Sequence, residues 1–331
     1  MRDAGFDVRI FRTADQTVAD CDALIVDGRY YTSRWAGESD AVLQELARLR
    51  DQIGKLIFIS IADSAGWDHA RALPYVSLYC KSQLLHDRAR YLEPLYGHRI
   101  FTDYYHWTFG VDDDAPVRSE PVTDPALLGK LAVSWNSGLA DYSWLGPYRM
   151  KAYQYAPLPF LLRFPGAFHA AAMPRDKDFS CRVGTAYVRP SVAHQRLRIA
   201  ERLASRIDTA KLSRRGYLDE LARSRIAISP FGLGEITLRD FEIFMAGALL
   251  IKPDMSAIET WPDFFRDGET MVAHRWDLSD LEDKIAAMLA HPGRAAEIAA
   301  EGQRVYREYL IGPNAGAMFA DHFRGLIARC G

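Results

Sequence analysis

Residues 229–254, SPFGLGEITLRDFEIFMAGALLIKPD, place three glycines, a capping threonine and several charged side chains within one strand, loop, helix and strand unit. Such a unit can grip an anion. Ile226, Ala227, Ile228 and Ser229 form a short run that stops at Pro230, and Gly232 and Gly234 then let the backbone come close to a ligand. Thr237 followed by Asp240 is a capping pair. It starts a helix whose free amides and positive dipole end lie beside Gly234 and Glu235. Leu238, Phe241, Phe244, Met245 and Ala248 recur at helical spacing and are expected to be the buried face. Arg239 and Glu242, three residues apart, fall off that stripe and share one side of the helix, either as ligand contacts or as a surface ion pair.

More cations precede this unit. Gly184 follows an expected strand at 181–184, with Arg189, Arg196 and Arg198 after it. Arg189 is the best placed of these to offset the charge of a bound anion, whereas Arg196 and Arg198 are expected on the solvated face of a helix over 193–207. Lys211, Arg214 and Arg215 are expected to form a solvated basic turn.

Parallel strands with crossover helices are needed to carry these residues. In the first half, strands are expected at 8–11, 23–26, 56–61 and 76–79, with a helix over 41–53 that presents Val42, Leu46, Leu49 and Ile53 on one face. The second alternation begins at residue 181. Ligands of open α/β sheets sit beyond the carboxyl ends of strands, which singles out Asp27, Gly28, Arg29, Asp63 and Lys81 as cleft-facing. The turn Asn136, Ser137, Gly138 and Asp141 also follows a strand and lies between Trp135 and Trp144. It suits either a hydroxyl-bearing ligand, with Asp141 taking a hydroxyl proton, or a locally bonded Asx turn. Asp63 is the other candidate base, or a turn former.

Residues 229–254 and the tail DFFRDGETMVAHRWDLSDLEDKIAAMLAHPGRAAEIAAEGQRVYREYL together resemble the donor half of glycosyltransferases of the GT-B fold, with group 1, CgeB-like or exostosin-like character. The resemblance covers roughly the last 45% of the chain. It implies an α/β protein of two Rossmann-like domains with a cleft between them, a nucleotide-sugar donor on the second and a carbohydrate acceptor on the first. In the retaining members a loop Glu precedes the helix Glu by a fixed interval. Glu242 fits the helix position and is expected to accept the ribose hydroxyls. Exact spacing puts the loop Glu at Gly234, so Glu235, one residue late, is the available carboxylate. The donor set implied is thus Gly184, Arg189, Gly232, Gly234, Glu235, Arg239 and Glu242, with Asp141, Asp63 and Glu235 as catalytic candidates. Family members work without a catalytic metal. No HExxH or similar pairing occurs here, so no metal and no cofactor beyond the co-substrate is expected.

Expected domains are 1–172 for the acceptor, 173–310 for the donor, and a closing helix over 311–331 that packs back on the first. A GT-B first domain opens with a strand, a Gly loop and a helix before an AGFDVRIF type of strand. Here Met1 lies within what resembles the end of that helix, so either the start is truncated or mis-assigned or the first domain lacks its first strand.

Composition bounds the alternatives. With 49% hydrophobic and 25% charged residues the chain has a globular make-up, and its formal charge of −2 gives no electrostatic case for nucleic acid. Cys21, Cys80, Cys181 and Cys330 show no metal spacing and are expected as reduced thiols. No apolar run spans a bilayer and no signal-peptide core is present, so a cytoplasmic protein is expected, with peripheral membrane association left open. The function expected is sugar transfer in cell-envelope or surface-polysaccharide synthesis. A catalytically silent scaffold and a nucleotide-sugar epimerase are the competing classes. Donor turnover separates the three.

Overall fold

A computed structural model of the protein describes residues 4–11, 13, 20–66, 69–156 and 158–330. Met1, Arg2 and Asp3, where the sequence suggests the end of an earlier helix, lie outside the described residues.

Two four-stranded sheets, each parallel throughout, organise the chain. The first is built from β1 (Leu24–Asp27), β2 (Leu56–Ile59), β3 (Leu78–Lys81) and, after β4 (Gln83–Leu85), from β5 (Leu131–Val133), in the order β1-β2-β3-β5. The second is built from β6 (Lys177–Ser180), β7 (Ser224–Ile228), β8 (Leu249–Pro253) and, after β9 (Ile258–Thr260), from β10 (Val272–His274), in the order β10-β8-β7-β6. Crossovers include α1 (Trp35–Ile53), α2 (Ile100–Phe109), α3 (Gly146–Tyr155), α4 (Pro190–Leu203), α5 (Arg214–Arg223) and α6 (Leu238–Ala246). The chain closes with α7 (Leu281–Ala290), α8 (Pro292–Ile311) and α9 (Ala315–Ala328). This is the two-sheet α/β plan expected from the GT-B resemblance.

Strand periodicity explains how the halves meet. Leu56 and Phe58 of β2 face one way and Ile57 and Ile59 the other, and the same alternation separates Leu250 from Leu249 and Ile251 in β8. Leu56, Phe58 and Leu250 enter one shared core that also takes Phe241, Phe244 and Tyr306. The opposite faces bury separately, the first sheet against Leu326 of α9 and the second against Ile199, Ile285 and Ile298. A two-stranded antiparallel ribbon of β4 and β9 crosses between the halves, pairing Gln83 with Thr260 and Leu85 with Ile258.

Three local expectations shift. Residues 8–11 form no strand, and Val8, Ile10 and Phe11 are exposed. Residues 181–184 form the loop after β6 rather than a strand, since the ladder with β7 ends at Ser180 and Ala227. Helix α1 starts at Trp35, six residues before its expected start at 41, with a non-helical Glu38 marking a kink.

Candidate active site

Helix α6 begins where the sequence indicates, and its start is built around one buried carboxylate. Asp240 receives the Thr237 amide at 2.8 Å, the Ser229 hydroxyl at 2.5 Å and the ammonium of fully buried Lys252 at 2.9 Å, completing a capping box with Thr237. Burial depresses the Lys252 pKa and Asp240 opposes that shift. Lys252 also lies 5.4 Å from the Phe231 ring centroid, so the floor of the loop is tied to the helix start from both sides. Beside Lys252, His274 is fully buried, and that burial lowers its pKa to about 4. It is therefore neutral at pH 7, and its Nδ1 lies 2.8 Å from the Arg275 carbonyl oxygen.

Above this floor lies a basic niche. Arg196 donates its Nε to the Phe231 carbonyl at 2.6 Å and lies over Tyr187, at 5.3 Å. A β-carbon on Gly232 would sit 3.3 Å from Arg196 Nη2 and 3.8 Å from the Tyr187 hydroxyl, so that glycine borders the niche. Arg239 lies over Tyr217 at 5.8 Å, and its Nε and Nη1 are buried without hydrogen-bond partners. Gly184 opens onto free space. One turn along α6, buried Glu242 pairs with Arg214 at 2.8 Å, and Arg214 also donates to the Tyr142 carbonyl at 2.9 Å. Burial raises the Glu242 pKa, and Arg214 opposes the rise. Gly184, Gly232, Arg239 and Glu242 thus come together, with Arg196, Tyr187, Tyr217 and Arg214 added.

The added residues correct the sequence expectation. Arg196 is buried rather than solvated, and it lies on the apolar stripe of Val192, Ile199 and Leu203. Arg214 is the first residue of α5 and ion-paired, not part of a solvated basic turn. Conversely, Leu238 is 55% exposed and the buried face of α6 includes Ile243 and Glu242 instead.

Other predicted residues sit at the junction of the halves. Gly234 meets protein rather than an open niche: a β-carbon there would overlap the Asp63 carbonyl. Glu235 is fully buried, and its Oε2 accepts from the Ala65 amide and from Gln83 Nε2, each at 2.8 Å. Its Oε1 is without a partner, and burial raises its pKa to about 6. Arg99 spans the joint, donating to the Leu233 carbonyl and pairing with half-exposed Asp63 at 3.2 Å. Arg189 also turns to the other half, where its Nε donates to buried Asp113 at 3.1 Å. That Asp113 also accepts the Ser191 amide and hydroxyl, each at 2.8 Å, and so caps α4 from 78 residues away.

The polar side chains of the first-half turn are bonded to protein. Asn136 donates from Nδ2 to the Thr260 hydroxyl at 3.0 Å and the Pro262 carbonyl at 2.8 Å. Asp141 is buried, bonded to the Ser143 amide at 3.0 Å and to Arg149 Nε at 3.1 Å. It is a locally satisfied Asx turn with an ion pair. Trp135 packs edge-on against Phe319. Lys81 is fully buried and donates to the Gly66 carbonyl at 2.6 Å. Asp27 and Arg29 pair with each other at 2.5 Å, whereas Gly28 borders a cavity of about 230 Å³. Thr32, Trp35, Phe58, Ser60, Ile61 and His69 complete its wall, with Trp35 stacked on His69 at 4.1 Å.

Among the described residues no helix is long and apolar enough to cross a membrane, and no group of three or more His, Cys, Asp or Glu side chains could hold a metal ion.

The family model described as glycosyl transferase-like matches residues 186–319, which contain α4, α6, Glu242 and most of the niche. Residues 186–319 are thus similar to glycosyl transferase-like domains. No curated protein matches the sequence. Solved structures with similarity include Anabaena HepE in complex with UDP-glucose, at 10% identity and a TM-score of 0.43, covering 94% of this chain and 80% of that one. HepE with UDP gives 10% identity and a TM-score of 0.44 over the same shares. The GtfA/B complex gives 13% identity and a TM-score of 0.39, covering 87% of this chain and 55% of that one.

Proposed function

We propose that the protein transfers a sugar from a nucleoside diphosphate sugar to a carbohydrate acceptor. The observation that carries this reading is the niche at the start of α6, where unpaired Nε and Nη1 of Arg239 sit near Arg196, which in turn lies beside Gly232. Buried guanidinium nitrogens without partners are rare, and a bound anion satisfies them. In the proposed reaction the acceptor oxygen bonds to the anomeric carbon as the bond to the diphosphate oxygen breaks. The leaving diphosphate gains charge, which the helix amides and both arginines stabilise. Glu242 accepts the ribose hydroxyls while Arg214 holds its carboxylate in place.

The acceptor proton leaves to Asp63 in an inverting reaction, since Asp63 stays half exposed at the joint whereas Asp141 is consumed by Arg149. The cavity beside Gly28 and Trp35 receives the acceptor ring. Residues 1–172 supply the acceptor side, residues 173–310 the donor side, and 311–331 close on the first sheet. Metal chelation leaves the activity intact, the enzyme works in the cytoplasm, and its product enters surface or envelope glycan assembly.

Thermal shifts with UDP, GDP, ADP, CMP and dTDP and their sugar conjugates test the donor site. A ligand at 100 times its dissociation constant adds about 2.7 kcal/mol of stability. One nucleotide should stabilise selectively, and Glu242→Ala should weaken its binding by about 1–3 kcal/mol. Donor affinity unchanged in that variant removes the ribose assignment. A second reading, nucleotide binding without transfer, is favoured by the full engagement of Asp141 and by the protein contacts of Glu235. Stabilisation by a nucleotide sugar with no release of free nucleotide across an acceptor panel would establish it.

A further inference from the structure

Residues 142–175 contain no Asp or Glu and hold Arg149, Lys151, Arg163 and Arg175. Arg149 is spent on Asp141, and Arg175 on carbonyls of the second half, which leaves Lys151 and Arg163 exposed. The same stretch exposes unusually large apolar side chains. On α3, Tyr148 and Tyr155 are 66% and 81% exposed, and with Leu145 and Ala152 they form one outward stripe at three- and four-residue spacing. Beyond α3, Phe160, Leu162 and Phe164 are each more than half exposed, and Trp144 precedes the helix at 52%.

A helix normally turns such a stripe into the core, yet Gly146 alone among the residues of α3 is buried. Its ten residues rise only about 15 Å, too short to span a bilayer. Aromatic and aliphatic side chains flanked by Lys and Arg, with carboxylates wholly excluded, suit a negatively charged lipid surface. A protein partner matches mixed charges at a rim and gives no reason to exclude acids over 34 residues.

We infer that α3 and the following 158–164 segment dock the protein on an anionic membrane surface, Tyr148, Tyr155, Phe160 and Phe164 entering the headgroup region and Lys151 and Arg163 contacting lipid phosphates. This docking is independent of the transfer reaction and is tested without it.

The full chain is sedimented with vesicles of phosphatidylcholine alone and of phosphatidylcholine mixed with phosphatidylglycerol, at low and high salt. Binding is expected on the mixed vesicles, reduced by salt and weak on the neutral ones. The combined variant Tyr148→Ser, Tyr155→Ser, Phe160→Ser and Phe164→Ser should lower partitioning by at least about tenfold. Lys151→Glu with Arg163→Glu, which touches no core residue, should remove the preference for anionic lipid. Exposed Ile10→Ser should leave binding unchanged. Absence of binding to both vesicle types overturns the inference, as does equal binding by wild type and both patch variants. A wild-type dimer that becomes monomeric in the serine variant, with neither binding vesicles, overturns it in favour of a second copy of the chain as the occupant.

Discussion

The turn after β7 and the turn after β5 are built from similar material, a short buried strand followed by a polar segment containing glycine. They do opposite things. After β7, Asp240 and Lys252 fix the helix start from beneath, so that Gly232, Arg196 and Arg239 are left bordering a niche. After β5, Asn136 bonds Thr260 and Pro262 of the other half, Asp141 bonds Arg149, and Gly138 lies so close to Phe241 that a β-carbon would meet the ring at 2.5 Å. Glycine signals close approach in both turns. What approaches is decided by where the polar side chains find partners, and in the second turn the partners are protein.

The hardest way to break this contrast is at Gly234, because that glycine of the loop after β7 behaves like those of the other turn. Gly234→Ala drives a β-carbon into the Asp63 carbonyl, and overpacking should destabilise the protein by at least about 3 kcal/mol in urea unfolding. A stable Gly234→Ala with weakened nucleotide binding would return the position to the ligand. Next, Asn136→Ala should cost about 2–3 kcal/mol of stability through its lost buried hydrogen bonds, while leaving the nucleotide-induced thermal shift intact. A purely kinetic defect toward acceptors would mean that the turn holds substrate after all.

Glu235 sharpens the comparison through pH. Its folded pKa of about 6 lies above the ordinary 4.5, so the folded state binds the proton more tightly than the unfolded chain does. Stability through this group is therefore highest below about 4.5 and falls as pH rises towards 6, by about 2 kcal/mol in all. The difference in unfolding free energy between wild type and Glu235→Gln, followed over that window, should change by this amount. A constant difference would show that Glu235 carries no burial penalty. The smallest effect is expected at Gly184→Ala: with nothing near its β-carbon, stability should stay within about 0.5 kcal/mol, and any loss should appear in nucleotide binding.

Much of the turn after β7 was legible because its determinants are local. Thr237 and Asp240 are three residues apart and their capping box depends on little else. Glu242 was placed by resemblance rather than by periodicity, and α6 shows why: its 240–244 run is buried on every side, which erases the stripe. Arg196 and Arg214 were legible in principle. Arg196 falls in line with Val192, Ile199 and Leu203, and Arg214 with Tyr217 and Leu221, and a cation on an apolar stripe signals a buried partner. Asp113 and Arg99 carried no such signal. Their partners lie 78 and 134 residues away, and only the folded chain brings them together. The role of Asn136 was hidden for the same reason, with Thr260 contributed from 124 residues downstream.

The ribbon of β4 and β9 takes one strand from each half, and its residues Leu84, Leu85 and Ile258 belong to the shared core. Neither sheet can lose its order without stripping the ribbon and opening that core. The two halves are then a single cooperative unit: heat should melt them in one calorimetric transition, and the amides of Leu85 and Thr260 should exchange with solvent only when the entire chain unfolds.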